Sequence, residues 1–575
     1  MPISPPSPTT TAYLSQQKLL VLRILVHSSS PQKRPDTEFC GEAKVPPLAS
    51  RRAGPFFVWP KRVLYLPQRS TICSVSVAQP IMLSVPGRRA ARLPVHRTSL
   101  SSTSSISLLR STSSCLRGDS SRQQRRSIHS SERRTSTVAD LPGSMPPLPP
   151  QNMDANRAPL SVLPLSMILR SLATTVVSSS PILLPPSLRI MVALAHAKNP
   201  ILNPDKNPLL RFFLKKSFYA QFCAGENAAE VRHTIGRLKN IGFTGVILGY
   251  AKEVVLEGSD AKDMAAAKLG EETARDIEKE INPWRDGTLE TVRLAEPGDF
   301  VALKFTGAGA LALHQLKNRL PPSQHLGASI DAICELARDR GVRLLFDAEQ
   351  DMLQEGIDDW TMRFARKYND SPDTATIYGT YQAYKKNCPA VVSRHLADAQ
   401  RDGFTLGIKL VRGAYLGSDP RQCFHDTKED TDACYNGIAA SVLTRQWSVT
   451  VQGEGEFPNA HIVLATHNVE SVRRARAICD AGGAKSDIAF AQLQGMADEV
   501  SCELVEASQS AQKENANARP LPVYKYLVWG TTGECMKYLL RRAQENKDAV
   551  QRTRNGRDAM WAELVRRCKN VVGMA

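Results

Sequence analysis

From residue 243 onward, this 575-residue chain repeats one pattern eight times: a short apolar run, then a stretch with helical spacing. The apolar runs are residues 243–250, 300–305, 342–347, 376–382, 405–411, 461–466, 487–492 and 523–528. Helical spacing follows at 329–340, 356–368, 390–401, 432–445, 471–481, near 498–507, and in a helix opening near Gly533. The first run is followed instead by a long charged insertion reaching Asp299, with a helix predicted near 261–281. Parallel strands cannot be joined by a tight turn, so short strands alternating with helices imply parallel pairing with helical crossovers. Eight such units predict an α/β fold, a closed (βα)8 barrel of the TIM type, with an open doubly wound sheet as the alternative. The polar residues favour the barrel. Lys304, Asp347, Gln382, Lys409, His467, Gln492 and Tyr526 each stand at or just past the C-terminal end of a different run, and a barrel gathers those ends at one mouth. A single charged residue at a strand end is ordinarily a cap; seven from seven strands predict a site. Ahead of the barrel, residues 199–242 read as a helical arm, amphipathic through Val231, Ile235, Leu238 and Ile241.

The last unit carries the densest chemistry. After Tyr526, Gly530 and Gly533 turn the chain into a helix on which Tyr538 precedes Arg541 and Arg542 by three and four residues, and Glu545 follows them at the same spacings. Two planar guanidinium forks suit a carboxylate or phosphate, because each donates bidentately and neither loses its charge. From this segment alone, a solvated helix end with an internal Arg–Glu pair is the competing reading. Glu349, two residues beyond Asp347, reads equally as a site residue or as a partner to a barrel lysine. The glycine-rich segment 306–312 imitates a dinucleotide loop. Its last position is Ala312, however, and no acidic residue ends the next strand, which predicts a helix start packed on a strand.

Composition settles what surrounds the barrel. The net charge of +18 is confined to the N-terminal third: residues 1–198 hold 25 Lys and Arg against 7 Asp and Glu, while residues 199–575 hold 49 of each. A neutral folding region argues against nucleic acid as a partner. No acidic residue occurs between Ala43 and Gly118, where Arg and Ser abound, as in organelle import sequences. Residues 1–198 therefore read as a disordered, basic, mitochondrial import-like extension, 199–242 as the arm, and 243–575 as the barrel. No clean apolar run of about 20 residues survives between Ala158 and Ala195, which Arg170, Arg189, Pro164, Pro181, Pro185 and Pro186 interrupt. The 12 cysteines include no C-x-x-C, and Cys423, His425 and Cys434 lack zinc spacing, so free, mostly buried thiols and no metal are predicted.

Six blocks, in order, carry a resemblance: 346–349 (FDAE), 381–384 (YQAY), 409–415 (KLVRGAY), 465–468 (ATHN), Gly495-Met496 and 538–546 (YLLRRAQEN). Together they resemble the proline dehydrogenase family of FAD-dependent proline oxidases, closest to its mitochondrial eukaryotic branch, over residues 212–564. The resemblance implies a distorted (βα)8 barrel with FAD at the mouth, oxidation of L-proline to 1-pyrroline-5-carboxylate, and ubiquinone as electron acceptor. It implies a mitochondrial matrix enzyme in peripheral contact with the inner membrane. Arg541 and Arg542 would hold the proline carboxylate with Lys304, Tyr526 and Tyr538 would wall the ring, and Asp347 would hold a tyrosine or lysine in place. FAD contacts carry over to Gln382, Lys409, Val411, Gly413, Ala414, Thr466, His467, Gln492, Arg542 and Glu545. At Gly413, the missing side chain is expected to let cofactor approach the backbone. Hydroxyproline is the alternative substrate, and a scaffold without catalysis the non-enzymatic alternative.

Overall fold

In the computed structural model, which describes residues 158–251, 272–515, 520–545 and 550–573, eight parallel strands close into a barrel in sequence order. They are β1 (Gly245–Tyr250), β2 (Phe300–Leu303), β3 (Arg343–Phe346), β4 (Ile377–Gln382), β5 (Leu406–Val411), β6 (Ala460–Ala465), β7 (Ile488–Leu493) and β8 (Val523–Trp529). The open sheet is excluded, because β1 pairs in parallel with β8 from Gly245 beside Tyr524 to Tyr250 beside Trp529.

Among the described residues the longer helices preceding β1 are α1 (Leu165–Ser179), α2 (Leu184–Ala195), α3 (Pro208–Leu214) and α4 (Ala228–Ile241). The helices between strands are α5 (Asn282–Leu294), α6 (Ala310–Lys317), α7 (Gln324–Asp339), α8 (Asp351–Tyr368), α9 (Cys388–Asp402), α10 (Lys428–Thr444), α11 (Val469–Asp480) and α12 (Asp498–Glu514). After β8 come α13 (Thr532–Glu545) and α14 (Val550–Val572).

Two boundaries differ from the sequence reading. The range 1–198, read as disordered, contains α1 and α2, while residues 1–157 lie outside the described residues. The apolar spacing there suffices to build core: Leu160, Leu163, Met167 and Ile168 are buried. Arg567 on α14 donates to the carbonyls of Leu160, Ser161 and Leu163. The helix expected near 261–281 falls largely outside the described residues; the β1-to-β2 crossover is α5, preceded by a π-helical turn Ile277–Ile281. Pro283 hid α5 from a periodicity reading, although proline is well tolerated in a helix's first turn. The buried Ile281, Trp284, Val292 and Leu294 anchor this region.

Strand alternation divides the core into an inner and an outer layer. Ile247, Phe300, Leu345, Tyr378, Val463 and Tyr524 pack together inside the barrel. At its N-terminal end the Arg343 guanidinium lies 3.8 Å from the Phe300 ring centroid and donates to the Tyr524 hydroxyl at 2.8 Å. One residue further along β8, Lys525 faces the outer layer, where its buried Nζ meets Asp498 Oδ1 of α12 at 2.7 Å. The glycine-rich segment 306–312 proves structural: a 3-10 turn Phe305–Ala308 leads into α6, and the Ala310 N–H donates to Glu280 Oε2 at 2.7 Å. A carboxylate of the chain itself thus occupies this helix N-terminus.

Gly356 on α8 allows α6 to cross closely, since a Cβ there would lie 2.1 Å from the Leu316 carbonyl oxygen. Gly356→Ala should therefore lower stability by about 1–3 kcal/mol through overpacking, read from the urea midpoint at unchanged m-value.

Candidate active site at the barrel mouth

The strand tips carry charge into one neighbourhood. Lys409, inward-facing on β5, forms an ion pair with Asp347 just past β3, Nζ to Oδ1 at 2.5 Å, with both side chains buried. The same ammonium lies 5.5 Å from the centroid of the Tyr526 ring on β8. Lys304, at the tip of β2, is also drawn in. Burial works against its charge, but Tyr415, Tyr526 and Asp347 outweigh that and hold its pKa above the ordinary lysine value, with Arg542 opposing. These neighbours favour the ammonium form of Lys304. Burial, reinforced by Asp347 and Tyr538, pushes the Tyr526 phenol well above its usual range, so it stays neutral at physiological pH.

From the other side, α13 supplies Tyr538 and Arg542. The Arg542 guanidinium lies 5.6 Å from the Tyr538 ring centroid, and its charge is felt at Lys304, Tyr415 and Tyr526. Arg541 is half-buried next to it. Tyr526, Tyr538 and Arg542 also line a predominantly apolar cavity of about 500 Å³ that runs back under α1 and α2, whereas Arg541 is not among its lining residues. The structure therefore brings Lys304, Asp347, Lys409, Tyr526, Tyr538 and Arg542 together. The side chain of Glu545 lies outside the described residues.

Of the remaining sequence-predicted positions, Gln382, Val411, Gly413, Ala414, Thr466 and His467 lie along the rim over β4 to β6, whereas Gln492 turns away from the mouth: on β7 it alternates with the inward Ala489 and Ala491 and stands beside the outward Lys525. Tyr378, Thr380 and Gln382 share the inner face of β4 by strand periodicity. Gln382 Oε1 accepts from the Tyr384 hydroxyl at 3.2 Å, while its Nε2 and the Thr380 hydroxyl are buried with no hydrogen-bond partner among the described residues. Thr466 Oγ1 accepts from the Asn468 N–H at 3.1 Å, and His467 Nε2 accepts from the Leu493 N–H at 3.1 Å. Gln492 is tied at both ends of its amide, donating to the Thr466 carbonyl and accepting from Ser501 Oγ, which fixes β7 to β6 and α12. Val411 and Ala414 flank Gly413 at the end of β5. Gly413 adopts φ +138°, and a Cβ there would lie 2.2 Å from the Tyr384 ring. The close neighbour demanding glycine is thus an aromatic ring of the same chain.

Sequence reasoning missed two participants. Tyr415, which closes the 409–415 block, donates to the Ala348 carbonyl at 3.3 Å and is electrostatically coupled to Lys304, Glu349 and Arg542. Its backbone N–H donates to the Tyr384 hydroxyl at 3.1 Å, so Tyr384 buttresses the loop. The position of Tyr415 at the end of a glycine turn after a strand was the available signal. Glu349 resolves toward structure: both its oxygens accept from Thr306, one from the N–H at 3.1 Å and the other from the hydroxyl. Burial raises its pKa despite the nearby Lys304. Among the described residues no group of side chains could hold a metal ion, and the nine cysteines there are free thiols, six of them buried.

A closed parallel barrel with cations, neutral phenols and orphaned polar groups gathered at its C-terminal rim has the build of a (βα)8 enzyme. Comparison with known proteins narrows the class. The family model described as proline dehydrogenase matches residues 231–555, and the chain belongs to the proline dehydrogenase family. It is 27% identical over 409 residues to the probable mitochondrial proline dehydrogenase of Schizosaccharomyces pombe, covering 63% of this chain and 80% of that one. To human mitochondrial proline dehydrogenase 1 it is 33% identical over 251 residues, 42% of this chain and 38% of the human protein. The hydroxyproline dehydrogenase of Bos taurus is 28% identical over 389 residues, with coverages of 62% and 81%. Among solved structures, proline utilization A from Bdellovibrio bacteriovorus aligns with a TM-score of 0.48 at 17% identity, over 66% of this chain and 38% of that longer one.

The buried Asp347–Lys409 pair generates a stability prediction. Lys409→Met removes the ion-pair partner of a buried carboxylate and should destabilise the barrel by about 3–5 kcal/mol, whereas Asp347→Asn combined with Lys409→Met should recover part of that loss. Urea unfolding of the three variants measures both quantities.

Proposed function

We propose that this chain oxidises L-proline to 1-pyrroline-5-carboxylate at the barrel mouth, with FAD as cofactor and ubiquinone as final electron acceptor. The observation that carries this reading is the convergence of Lys304, Arg542, Tyr526 and Tyr538 beside the Asp347–Lys409 pair. Proline presents a carboxylate on one ring carbon and a small apolar ring. Two cations with neutral phenols beside them match that pattern in charge and in size. Arg542, with Arg541 next to it and Lys304 opposite, would hold the carboxylate. Lys304, close to Asp347, would serve as a cation there. Tyr526 and Tyr538 would wall the ring carbons, and Asp347 fixes the Lys409 ammonium.

The rim suits a flavin. The unpartnered Gln382 Nε2 and Thr380 hydroxyl are buried polar groups that a polar ring system could satisfy, and Lys409 and Arg542 bring positive charge to a cofactor that becomes more negative on reduction. Gln382, Lys409, Val411, Gly413, Ala414, Thr466, His467, Arg542 and Glu545 would hold it, with Gln492 shaping the β6–β7 edge. Bound FAD would supply the acceptor for the hydride that leaves the ring carbon on the far side of the nitrogen from the carboxylate. The nitrogen must shed a proton for this transfer. The mitochondrial names of the fission yeast and human relatives, with the acid-poor extension, support a mitochondrial location; the matrix side of the inner membrane suits a quinone acceptor.

Hydroxyproline is the second reading, supported by the bovine relative. A bulky phenol at Tyr526, in place of a smaller side chain that would admit a further ring substituent, favours proline. Purified protein supplied with FAD should show a flavin spectrum that bleaches on anaerobic addition of proline; no flavin and no bleaching would refute the assignment. Arg542→Met should fold normally yet lose at least about 100-fold in kcat/KM for proline, and unchanged turnover would remove Arg542 from the clamp. Tyr526→Ser should narrow the preference for proline over hydroxyproline, measured as the ratio of their kcat/KM values.

A further inference from the structure

Of the nineteen large apolar side chains that stand exposed among the described residues, ten fall between Val176 and Phe213, in the segment carrying α1, α2 and α3. Ile182 is 80% exposed, Ile201 69% and Phe213 61%. Scattered exposed apolar residues need no explanation, but this density in one short segment marks an interaction surface. Its charge is equally lopsided: residues 158–222 hold seven Lys and Arg and one acid, Asp205. Lys215 is engaged by Glu226 and Glu230 and the half-buried Arg170 lines the cavity, which leaves Arg189, Lys198, Lys206, Arg211 and Lys216 exposed. Neither helix can cross a bilayer. α1 has 15 residues and α2 has 12, and the two are bent 106° from one another, whereas a span needs about 20 residues. Short amphipathic helices with exposed apolar side chains and a basic surround fit the plane of an anionic lipid headgroup layer.

The apolar cavity connects this surface to the site. Its lining includes the exposed Ile190 and Ser217 together with Tyr526, Tyr538 and Arg542 of the site. We propose that residues 165–217 form an interfacial anchor that docks on an anionic bilayer, and that the cavity roofed by α1 and α2 admits a lipid-soluble electron acceptor from that bilayer. The docking stands on the surface alone; the acceptor route rests on the proposed proline oxidation.

The full chain is tested by flotation with phosphatidylcholine vesicles, with and without phosphatidylglycerol. It should float with the anionic vesicles, and binding should weaken as salt is raised. Ile182→Ser, Phe212→Ser and Phe213→Ser combined should reduce partitioning by roughly tenfold or more while leaving proline-dependent reduction of a water-soluble dye unchanged. Reduction of a quinone dissolved in the same vesicles should fall in step with binding. A second variant, Lys198→Glu with Lys206→Glu on the exposed connection, should lose the preference for phosphatidylglycerol. The basic extension is common to all three proteins, so binding that survives both variants undiminished overturns the assignment of this face. Failure of the parent to float also overturns it. So does a dimer that the triple substitution splits without any vesicle binding, which would give the face to a second copy of the chain. Quinone reduction unaffected by detachment overturns the cavity route. Absence of dye reduction in the parent refutes proline oxidation instead, leaving the flotation result to judge the docking by itself.

Discussion

Closing eight parallel strands into a ring leaves no strand edge unpaired, and it forces every strand to end at the same rim. Each crossover must carry the chain back along the outside, so the helices form a layer whose apolar faces are spent on the barrel wall. What remains for chemistry is the rim. Lys304, Asp347 and Tyr526 are far apart in sequence, yet closure leaves the tips of β2, β3 and β8 nowhere else to go.

Within that rim the balance of charge is specific. Burial disfavours ionised groups, and among the described residues the site holds the buried Asp347–Lys409 pair together with Lys304 and Arg542. The surrounding phenols stay protonated because burial prevails over the neighbouring cations at Tyr415 and Tyr526. The arrangement is a largely desolvated pocket wall carrying guanidinium and ammonium groups, suited to orienting a small anionic group.

Much of this was legible in the residues. Strand periodicity located all eight strands, and the coincidence of polar residues at their ends pointed to the mouth. Three things were not legible, each for a physical reason. α5 was obscured by Pro283, which breaks a periodicity count without breaking a first turn. The helices α1 and α2 sit in a Ser-, Pro- and Arg-rich context, and only contact with α14, hundreds of residues away, reveals that Leu163 and Ile168 are core. The reason for Gly413 depends on where the Tyr384 ring lies, which spacing along the chain cannot express.

The buried Lys525–Asp498 pair on the outer face of β8 bears on the adjacent Tyr526. Strand side chains alternate, so a slip of β8 by one position would turn the lysine into the mouth and press the phenol against an abandoned carboxylate. The ion pair therefore acts as an indexing pin: it makes the wrong alignment of the last strand electrostatically prohibitive, and thereby guarantees which face of that strand the substrate meets.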